Sequence, residues 1–192
     1  MLLKDKVCIV AGASSLRSIG YATAELFIKH GAHVVVTDVM MNDDVLNQIK
    51  FEIEKNLGVT IKIDGIQCDI SKKSECDRLI AQVQSKYGTI DCLVNSAGIV
   101  RSGPILDISE AELSLMFDIN LKGAFYLCQS VLEVFVKQES GTIVNVASLA
   151  AQRGGGLVGG AHYAASKGGM LSLTKSIARE FGALGVRANA IC

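Results

Sequence analysis

The chain has 192 residues, of which 49% are hydrophobic and 20% charged, a balance typical of a globular protein rather than a disordered one. Its 19 Lys and Arg residues equal its 19 Asp and Glu residues in number, and no run of like charge occurs, which argues against nucleic acid as a partner. The length predicts a single domain over residues 1–192.

Short apolar runs alternate along the chain with longer stretches of helical character. Several runs are rich in Val and Ile without polar alternation, which is typical of strands buried on both faces of a parallel sheet. We predict strands at 7–11, 33–37, 64–68, 90–94, 142–146 and 186–191. Crossover helices are predicted at 18–31, 43–57, 72–87, 107–137 and 162–184. This alternation predicts an α/β fold with a doubly wound parallel sheet of six strands.

A glycine-bearing turn follows the first predicted strand and leads into helical sequence. Such a turn lets the backbone approach a pyrophosphate group, and the N-terminus of the following helix supplies free N–H donors. Gly12 is expected to form the tight turn, and Gly20 to permit close packing of the helix on the strand. The position of the turn, after the first strand of an alternating pattern, favours a dinucleotide-binding site.

An acidic residue, Asp38, ends the second predicted strand. A carboxylate here can accept hydrogen bonds from the ribose hydroxyls of NAD and would repel the 2′-phosphate of NADP. NAD is therefore favoured as the cofactor over NADP. Two alternatives stay open: Asp38 as an ordinary cap of the next turn, and Arg17 in the glycine turn reaching a 2′-phosphate.

Polar and small residues also stand where three later strands end. Asp69 is placed to bond an adenine amino group or to cap the helix that follows. The stretch from Asn95 to Gly98 is small enough for a ligand to lie against the backbone, and ligands bind at the carboxyl edge of open α/β sheets. Ser148 follows the fifth strand, where a hydroxyl can polarise a substrate carbonyl or simply belong to a turn.

Tyr163 and Lys167 lie on the last predicted helix. A spacing of four residues places the phenol and the ammonium on one face, one turn apart. A cation within reach stabilises a phenolate, so the pair can serve as a general acid and base. Taken alone, this spacing occurs often by chance, and an exposed Tyr and Lys on a helix surface would be the better explanation.

Taken together in chain order, these segments resemble the short-chain dehydrogenase/reductase family from the first strand to the last residue. The shared pieces are the strand–glycine-turn–helix unit, VVVTD, CDIS, NSAG, DINLKGAF, IVNVAS, YAASK and VRANAIC. The resemblance implies a Rossmann-type sheet and an NAD(P)-dependent oxidoreductase. It further implies a homo-oligomer built through the helices at 107–137 and 162–184.

The resemblance also implies a role for each matching residue. Tyr163 exchanges a proton with the substrate oxygen, Lys167 supports it and holds the nicotinamide ribose, and Ser148 orients the carbonyl. Asn120 kinks the long helix and holds a water that relays protons from Lys167. The cofactor-binding residues implied are Gly12, Ser18, Ile19, Gly20, Asp38, Asp69, Ile70, Asn95, Gly98, Tyr163 and Lys167.

Two departures from the family pattern stand out. Ser18 occupies the position of the middle glycine in a turn that is about two residues longer than usual. The chain stops at VRANAIC, where family members continue into a substrate lid and a last strand. We therefore expect a C-terminally truncated member, with the last strand and the lid missing and the sixth strand left as an edge.

The function expected is NAD-dependent interconversion of a secondary alcohol and a ketone, both small molecules. A 3-oxoacyl-[acyl-carrier-protein] reductase is the main alternative within the family, and a sugar or polyol dehydrogenase is equally compatible. The alternative of another class is a truncated, catalytically silent dinucleotide-binding chain.

The cysteines and the N-terminus set the expected compartment. None of the six cysteines forms a CxxC pair or a zinc-type cluster, so we expect reduced core thiols and no metal. The N-terminus lacks a signal peptide, and no apolar run approaches the ~18 residues of a membrane helix. These features predict a cytoplasmic protein without a membrane partner.

Overall fold

A computed structural model describes residues 1–156 and 158–192 of the chain. The six strands are β1 (Val7–Ala11), β2 (His33–Asp38), β3 (Ile63–Gln67), β4 (Cys92–Asn95), β5 (Gly141–Val146) and β6 (Val186–Ile191). The helices are α1 (Ile19–Lys29), α2 (Asp43–Leu57), α3 (Lys73–Tyr87), α4 (Glu110–Phe117), α5 (Ala124–Gln138), α6 (Ala150–Arg153) and α7 (Ala161–Phe181).

The strands form one parallel sheet in the order β3-β2-β1-β4-β5-β6, which confirms the predicted fold class. From β1 the chain winds outward through β2 and β3, then returns to the other side of β1 and continues through β4, β5 and β6. The order therefore reverses between β1 and β4. In open parallel sheets, this switch point at the carboxyl ends of the strands is where ligands bind.

Both faces of the sheet are covered. Val7, Ile9 and Ala11 of β1 join a core formed with α3, α5 and α7, whereas Cys8 and Val10 join a second core formed with α1 and α2. Every residue of β1 is buried, so each strand position contributes apolar area to one core or the other. This double burial explains why the sequence of β1 shows no polar alternation.

The prediction of a single regular helix over 107–137 was wrong, because the structure divides this stretch into several helical segments. A single 3₁₀ turn at Ile105–Asp107 precedes it, and α4 begins at Glu110, where the Ser109 hydroxyl accepts a hydrogen bond from the Glu112 N–H. The segment Asp118–Gly123 is π-helical and joins α4 to α5. Apolar residues recur every three or four positions through all three segments, so their spacing does not reveal the wider turn in the middle.

Other boundaries differ from the prediction by small amounts. The strand expected at 90–94 runs from Cys92 to Asn95, and the helix expected at 18–31 begins at Ile19. The short helix α6 was not predicted. Strand β6 pairs with β5 along one side and forms an edge of the sheet. Among the described residues, no helix is long and apolar enough to cross a bilayer.

Phe135 provides a test of the core. Its fully buried ring lies directly against Gly141 of β5. We expect Phe135→Ala to lower the free energy of unfolding by about 3–5 kcal/mol, because it leaves a cavity under the sheet. Urea unfolding followed by circular dichroism measures the change. Phe51→Ala removes the same ring from an exposed site on α2 and should cost less than about 1 kcal/mol. Equal losses would contradict the placement of Phe135 in the core.

Candidate active site

A cleft of about 510 Å³ lies at the carboxyl ends of β1, β2 and β4, at the switch point of the sheet. Of the predicted cofactor residues, it is lined by Gly12, Ser18, Asp38, Asp69, Ile70 and Gly98. Five separate segments of the chain meet at this cleft, and these predicted residues come from four of them. Sequence analysis did not single out Ser14, Ser96 or Asp118, which line it as well.

The turn after β1 has no room for side chains. Gly12 has a φ of +81°, and a Cβ added to it would lie 2.5 Å from the backbone N of Ala97. A Cβ on Gly20 would collide with the carbonyl oxygen of Gly12, so Gly20 packs α1 against the turn and does not line the cleft. Ile19 does not line it either, and its side chain is largely exposed.

Ser18 begins α1. Its hydroxyl accepts a hydrogen bond from the Tyr21 N–H at 3.0 Å, which makes it the N-cap of the helix. The residue that replaces the expected middle glycine thus orders the helix N-terminus that faces the cleft. Arg17, immediately before it, is exposed, and its backbone N–H bonds the Ser15 hydroxyl.

Asp38 ends β2 beside the glycine turn. Its carboxylate accepts hydrogen bonds from the backbone N–H groups of Ser14 at 3.3 Å and Met40 at 3.1 Å. The two bonds fix the carboxylate between the turn after β1 and the turn after β2. A negative charge is therefore held at one end of the cleft.

Asp69 is held by its own turn. Its carboxylate accepts from both the hydroxyl and the N–H of Ser71, and Lys72 lies 3.3 Å away. The Ser71 hydroxyl is the largest influence that keeps the pKa of Asp69 below its usual range. The structure thus favours the turn-forming alternative for this side chain, while its position in the cleft wall leaves an adenine contact open.

Asn95 lies away from the cleft. It is fully buried, and its amide donates to Asn145 Oδ1 of β5 at 3.4 Å. Gly98, three residues further on, does line the cleft. The hydroxyl of the intervening Ser96 donates to the carbonyl oxygen of Ala11 at the end of β1. Its place at the carboxyl end of β4 was the one signal in the sequence that could have identified Ser96.

Asn120 lies within the π-helical segment and is fully buried. Its Oδ1 accepts from the Ile99 N–H at 2.8 Å, and its Nδ2 donates to the Ile99 carbonyl at 2.9 Å. Nδ2 also lies 3.2 Å from the Ser166 hydroxyl of α7. The side chain therefore joins the segment after β4 to the π-helical segment and to α7.

Tyr163 and Lys167 are both buried on α7, at 6% and 5% exposure. The alternative of an exposed surface pair is therefore excluded. The Lys167 ammonium donates to the carbonyl oxygen of Val146 at 2.8 Å, at the carboxyl end of β5. Burial lowers the pKa of Lys167 to about 8. Lys167 is still mostly cationic near neutral pH.

Lys167 also lies next to the cleft. A Cβ added to Gly98 would lie 2.9 Å from Asn120 Oδ1 and 3.5 Å from Lys167 Nζ. Gly98 therefore brings the cleft wall, the Asn120 amide and the Lys167 ammonium together. Ser148, half-buried just beyond β5, accepts a hydrogen bond from the Ala150 N–H at 3.1 Å, at the start of α6.

The glycine-rich stretch at 153–160 separates Ser148 from Tyr163. Gly159, with a φ of +76°, lies directly against the Tyr163 ring, so a larger residue there would displace the ring. Leu157 of this stretch lies outside the described residues. Among the described residues, no group of three His, Cys, Asp or Glu side chains gathers in a way that could hold a metal ion.

Comparison with known proteins identifies close relatives. Residues 6–192 match the family model described as short chain dehydrogenase. An uncharacterised short-chain type dehydrogenase/reductase of Sinorhizobium fredii is 38% identical over 192 residues, covering 100% of this chain and 74% of the relative. The 3-oxoacyl-[acyl-carrier-protein] reductase of Thermotoga maritima is 36% identical over 191 residues, with 100% and 74% covered.

Solved structures lead to the same family. The crystal structure of an NAD⁺-bound xylitol dehydrogenase superimposes with a TM-score of 0.88 at 29% sequence identity. The match covers 99% of this chain and 70% of that chain.

The buried ammonium gives a pH-dependent prediction. Lys167 titrates at about pH 8 when folded against 10.5 as a free side chain, so between these values the unfolded chain binds more protons. The contribution of Lys167 to the free energy of unfolding should rise across this window, by at most about 1.4 kcal/mol per pH unit, and stay constant below it. Urea unfolding of the wild type and Lys167→Met at several pH values measures the difference. Parallel pH dependences would contradict the burial of the ammonium.

Proposed function

The chain belongs to the short-chain dehydrogenase/reductase family, and from this premise we propose that it is an NAD-dependent oxidoreductase that interconverts a secondary alcohol and a ketone. The observation that carries the proposal is the burial of Tyr163 and Lys167 one turn apart, with Lys167 Nζ against the wall of the glycine-turn cleft. A proton-exchanging pair and a nucleotide-sized cleft thus adjoin at the carboxyl edge of the sheet.

The shape of the cleft and the backbone N–H donors at its edge both suit a dinucleotide. Gly12 presents bare backbone where any side chain would collide with Ala97, and α1 begins at the cleft with its N-terminal N–H groups. A helix N-terminus and a side-chain-free turn are what a pyrophosphate requires. We assign the pyrophosphate side to Gly12 and Ser18 and the adenosine side to Asp38, Asp69 and Ile70. The bound cofactor supplies or accepts the hydride.

The residues of α7 move the proton. Tyr163 exchanges a proton between its hydroxyl and the substrate oxygen, and the positive charge of Lys167 stabilises the phenolate form. Ser148 orients the carbonyl oxygen of the substrate through its hydroxyl. Asn120 shapes the surroundings of Lys167 from the π-helical segment. Burial of Tyr163 and Lys167 keeps competing water away from the proton transfer.

Asp38 favours NAD over NADP in this proposal. Its carboxylate is fixed by two backbone N–H groups and cannot turn away without breaking them. A 2′-phosphate placed beside it would meet an uncompensated negative charge. The next residues, Val39 and Met40, are uncharged, so Arg17, in the turn after β1, is the alternative partner considered for a 2′-phosphate.

Two substrate classes have a specific observation in their favour. The Thermotoga maritima relative is a 3-oxoacyl-[acyl-carrier-protein] reductase, and one structural neighbour is a xylitol dehydrogenase. Both reactions convert a secondary alcohol to a ketone or the reverse. We favour the dehydrogenase direction with NAD because of Asp38, with the reductase as the second candidate.

A self-association surface completes the proposal. A groove of about 600 Å³ lies between α5 and α7, lined by Phe125, Leu132, Val136, Leu173, Ile177 and Phe181 among others. An exposed apolar groove on paired helices favours packing against a second copy of the chain. We therefore propose a homo-oligomer assembled through these two helices.

Tyr163→Phe tests the catalytic assignment. Removal of the hydroxyl should lower kcat by about 10²–10⁴-fold, because the proton acceptor is lost, and leave the Kd for NADH within about twofold. A panel of polyols, hydroxy acids and cyclic secondary alcohols with NAD, followed by NADH fluorescence, gives the rates.

Tyr87→Phe, which removes a hydroxyl that donates to Asp64 far from the site, is the control. Retained turnover in Tyr163→Phe would refute the role. NADH binding without turnover by the wild type would favour a silent dinucleotide-binding chain.

Asp38→Ala tests the cofactor preference. Without the carboxylate, the ratio of the Kd values for NADPH and NADH should fall by about tenfold or more, because the repulsion of the 2′-phosphate is removed. Fluorescence titration with each reduced cofactor measures the ratio. Asp38→Asn removes the charge but keeps one acceptor oxygen, for either the Ser14 or the Met40 N–H group, which bond different oxygens of Asp38. It should show the same change. An unchanged ratio would contradict the role of Asp38 in the choice between NAD and NADP. Weaker NADPH binding in Arg17→Ala would then assign recognition of the 2′-phosphate to Arg17.

A further inference from the structure

Ser166 lies within the Tyr163–Lys167 segment of α7 and is fully buried. Its hydroxyl donates to the carbonyl oxygen of Tyr163 at 2.7 Å. The same oxygen accepts a hydrogen bond from Asn120 Nδ2 at 3.2 Å. One hydroxyl therefore bonds the backbone of one proposed catalytic residue and the side chain of another.

The other partners of the Asn120 side chain belong to different parts of the molecule, and Nδ2 also lies 2.9 Å from Met116 Sδ of α4. Oδ1 and Nδ2 both bond the backbone of Ile99, in the segment after β4. Ser166 is thus the hydrogen-bonded connection between the Asn120 amide and α7 in the described structure. If the Ser166 hydroxyl were removed, one N–H of this fully buried amide would exchange a hydroxyl oxygen for the weaker sulfur acceptor of Met116, and the amide would lose its bond to α7.

We propose that Ser166 is a positioning residue: its hydroxyl fastens the Asn120 amide, and with it the π-helical segment, to α7 between Tyr163 and Lys167. The expected effect of Ser166 on turnover rests on the proposed oxidoreductase function. The hydrogen bonds that join Asn120 to α7 do not depend on that function. Ser166 is not assigned a contact with substrate or cofactor.

The consequence for Lys167 follows from packing. The point that a Cβ of Gly98 would occupy lies 2.9 Å from Asn120 Oδ1 and 3.5 Å from Lys167 Nζ, so the amide and the ammonium border the same space beside Gly98. An Asn120 side chain held by Ser166 therefore helps to keep bulk water away from the ammonium, which is compatible with the single relay water that the family resemblance implies. Burial is the cause that lowers the pKa of Lys167. Release of Asn120 would admit water and raise the pKa of Lys167 towards 10.5.

Thr174 offers an internal comparison on the same helix. It is also buried, its hydroxyl donates to the carbonyl of Met170 at 2.8 Å, and it accepts from Asn145 Nδ2 at 2.9 Å. The two hydroxyls make the same pair of bonds about two turns apart. Loss of the Thr174 hydroxyl should therefore destabilise the chain similarly without releasing Asn120.

The experiment compares Ser166→Ala with Thr174→Val in the whole chain. Two-dimensional NMR of ¹⁵N-lysine-labelled protein follows the titration of Lys167, identified by its loss in Lys167→Met. Ser166→Ala should raise the pKa of Lys167 by about 0.5 or more, whereas Thr174→Val should leave it unchanged. Thermal unfolding measures the destabilisation of each variant. If Ser166→Ala does not fold, Ser166→Cys, of similar volume and with a weaker acceptor, is read in the same way.

Turnover provides the second readout. With the best secondary alcohol of the panel and NAD, Ser166→Ala should lower kcat about tenfold with KM for NAD within about twofold, and Thr174→Val should change neither. An unchanged Lys167 titration in Ser166→Ala, or an equal shift in Thr174→Val, would overturn the proposal. A wild type without turnover would refute the proposed function alone, since the Lys167 titration still decides the role of Ser166.

Discussion

The close approach of three backbone segments at the end of β1 is the constraint on which the site depends. Gly12 lies against Ala97, and Gly20 lies against Gly12, so the turn after β1, the start of α1 and the segment after β4 are in direct contact. The Ser96 hydroxyl adds a bond to the end of β1. A Cβ at either glycine would separate these segments, and a Cβ at Gly12 would also lie in the wall of the cleft. The cleft exists because these positions carry no side chain.

The π-helical segment extends this arrangement to α7. A helix with regular spacing from α4 through α5 would direct residue 120 differently from the wider turn, since the π geometry adds a residue to the repeat. The Asn120 amide is turned towards both Ile99 and Ser166. The segment that lines the cleft is thereby connected to the helix that carries Tyr163 and Lys167. The π-helical turn therefore connects the cofactor cleft to the helix that carries the proposed catalytic residues.

Much of the fold followed from the sequence because double burial produces an unmistakable pattern. Strand β1 is buried at every position and was predicted with its observed boundaries. The glycine turn and Asp38 were placed at the cleft because the carboxyl ends of parallel strands share an edge. The π-helical segment was missed, since hydrophobic spacing is similar in both helix types over a single turn. Ser166 was missed because a buried serine in a helix reveals its partner only when the tertiary structure is known.

The surroundings of Lys167 show how the fold positions a cation without neutralising it. Its ammonium donates to the backbone carbonyl of Val146, and none of the ion pairs among the described residues includes it. A carboxylate partner would hold the side chain more strongly and offset its burial, but it would also cancel much of the positive charge on which the proposed role of Lys167 depends. A neutral carbonyl fixes the direction of the ammonium and leaves its charge available. Burial without a carboxylate partner lowers the pKa of Lys167 to about 8. At neutral pH the ammonium group is still mostly protonated. The buried, unpaired cation is a local source of instability that the proposed chemistry requires.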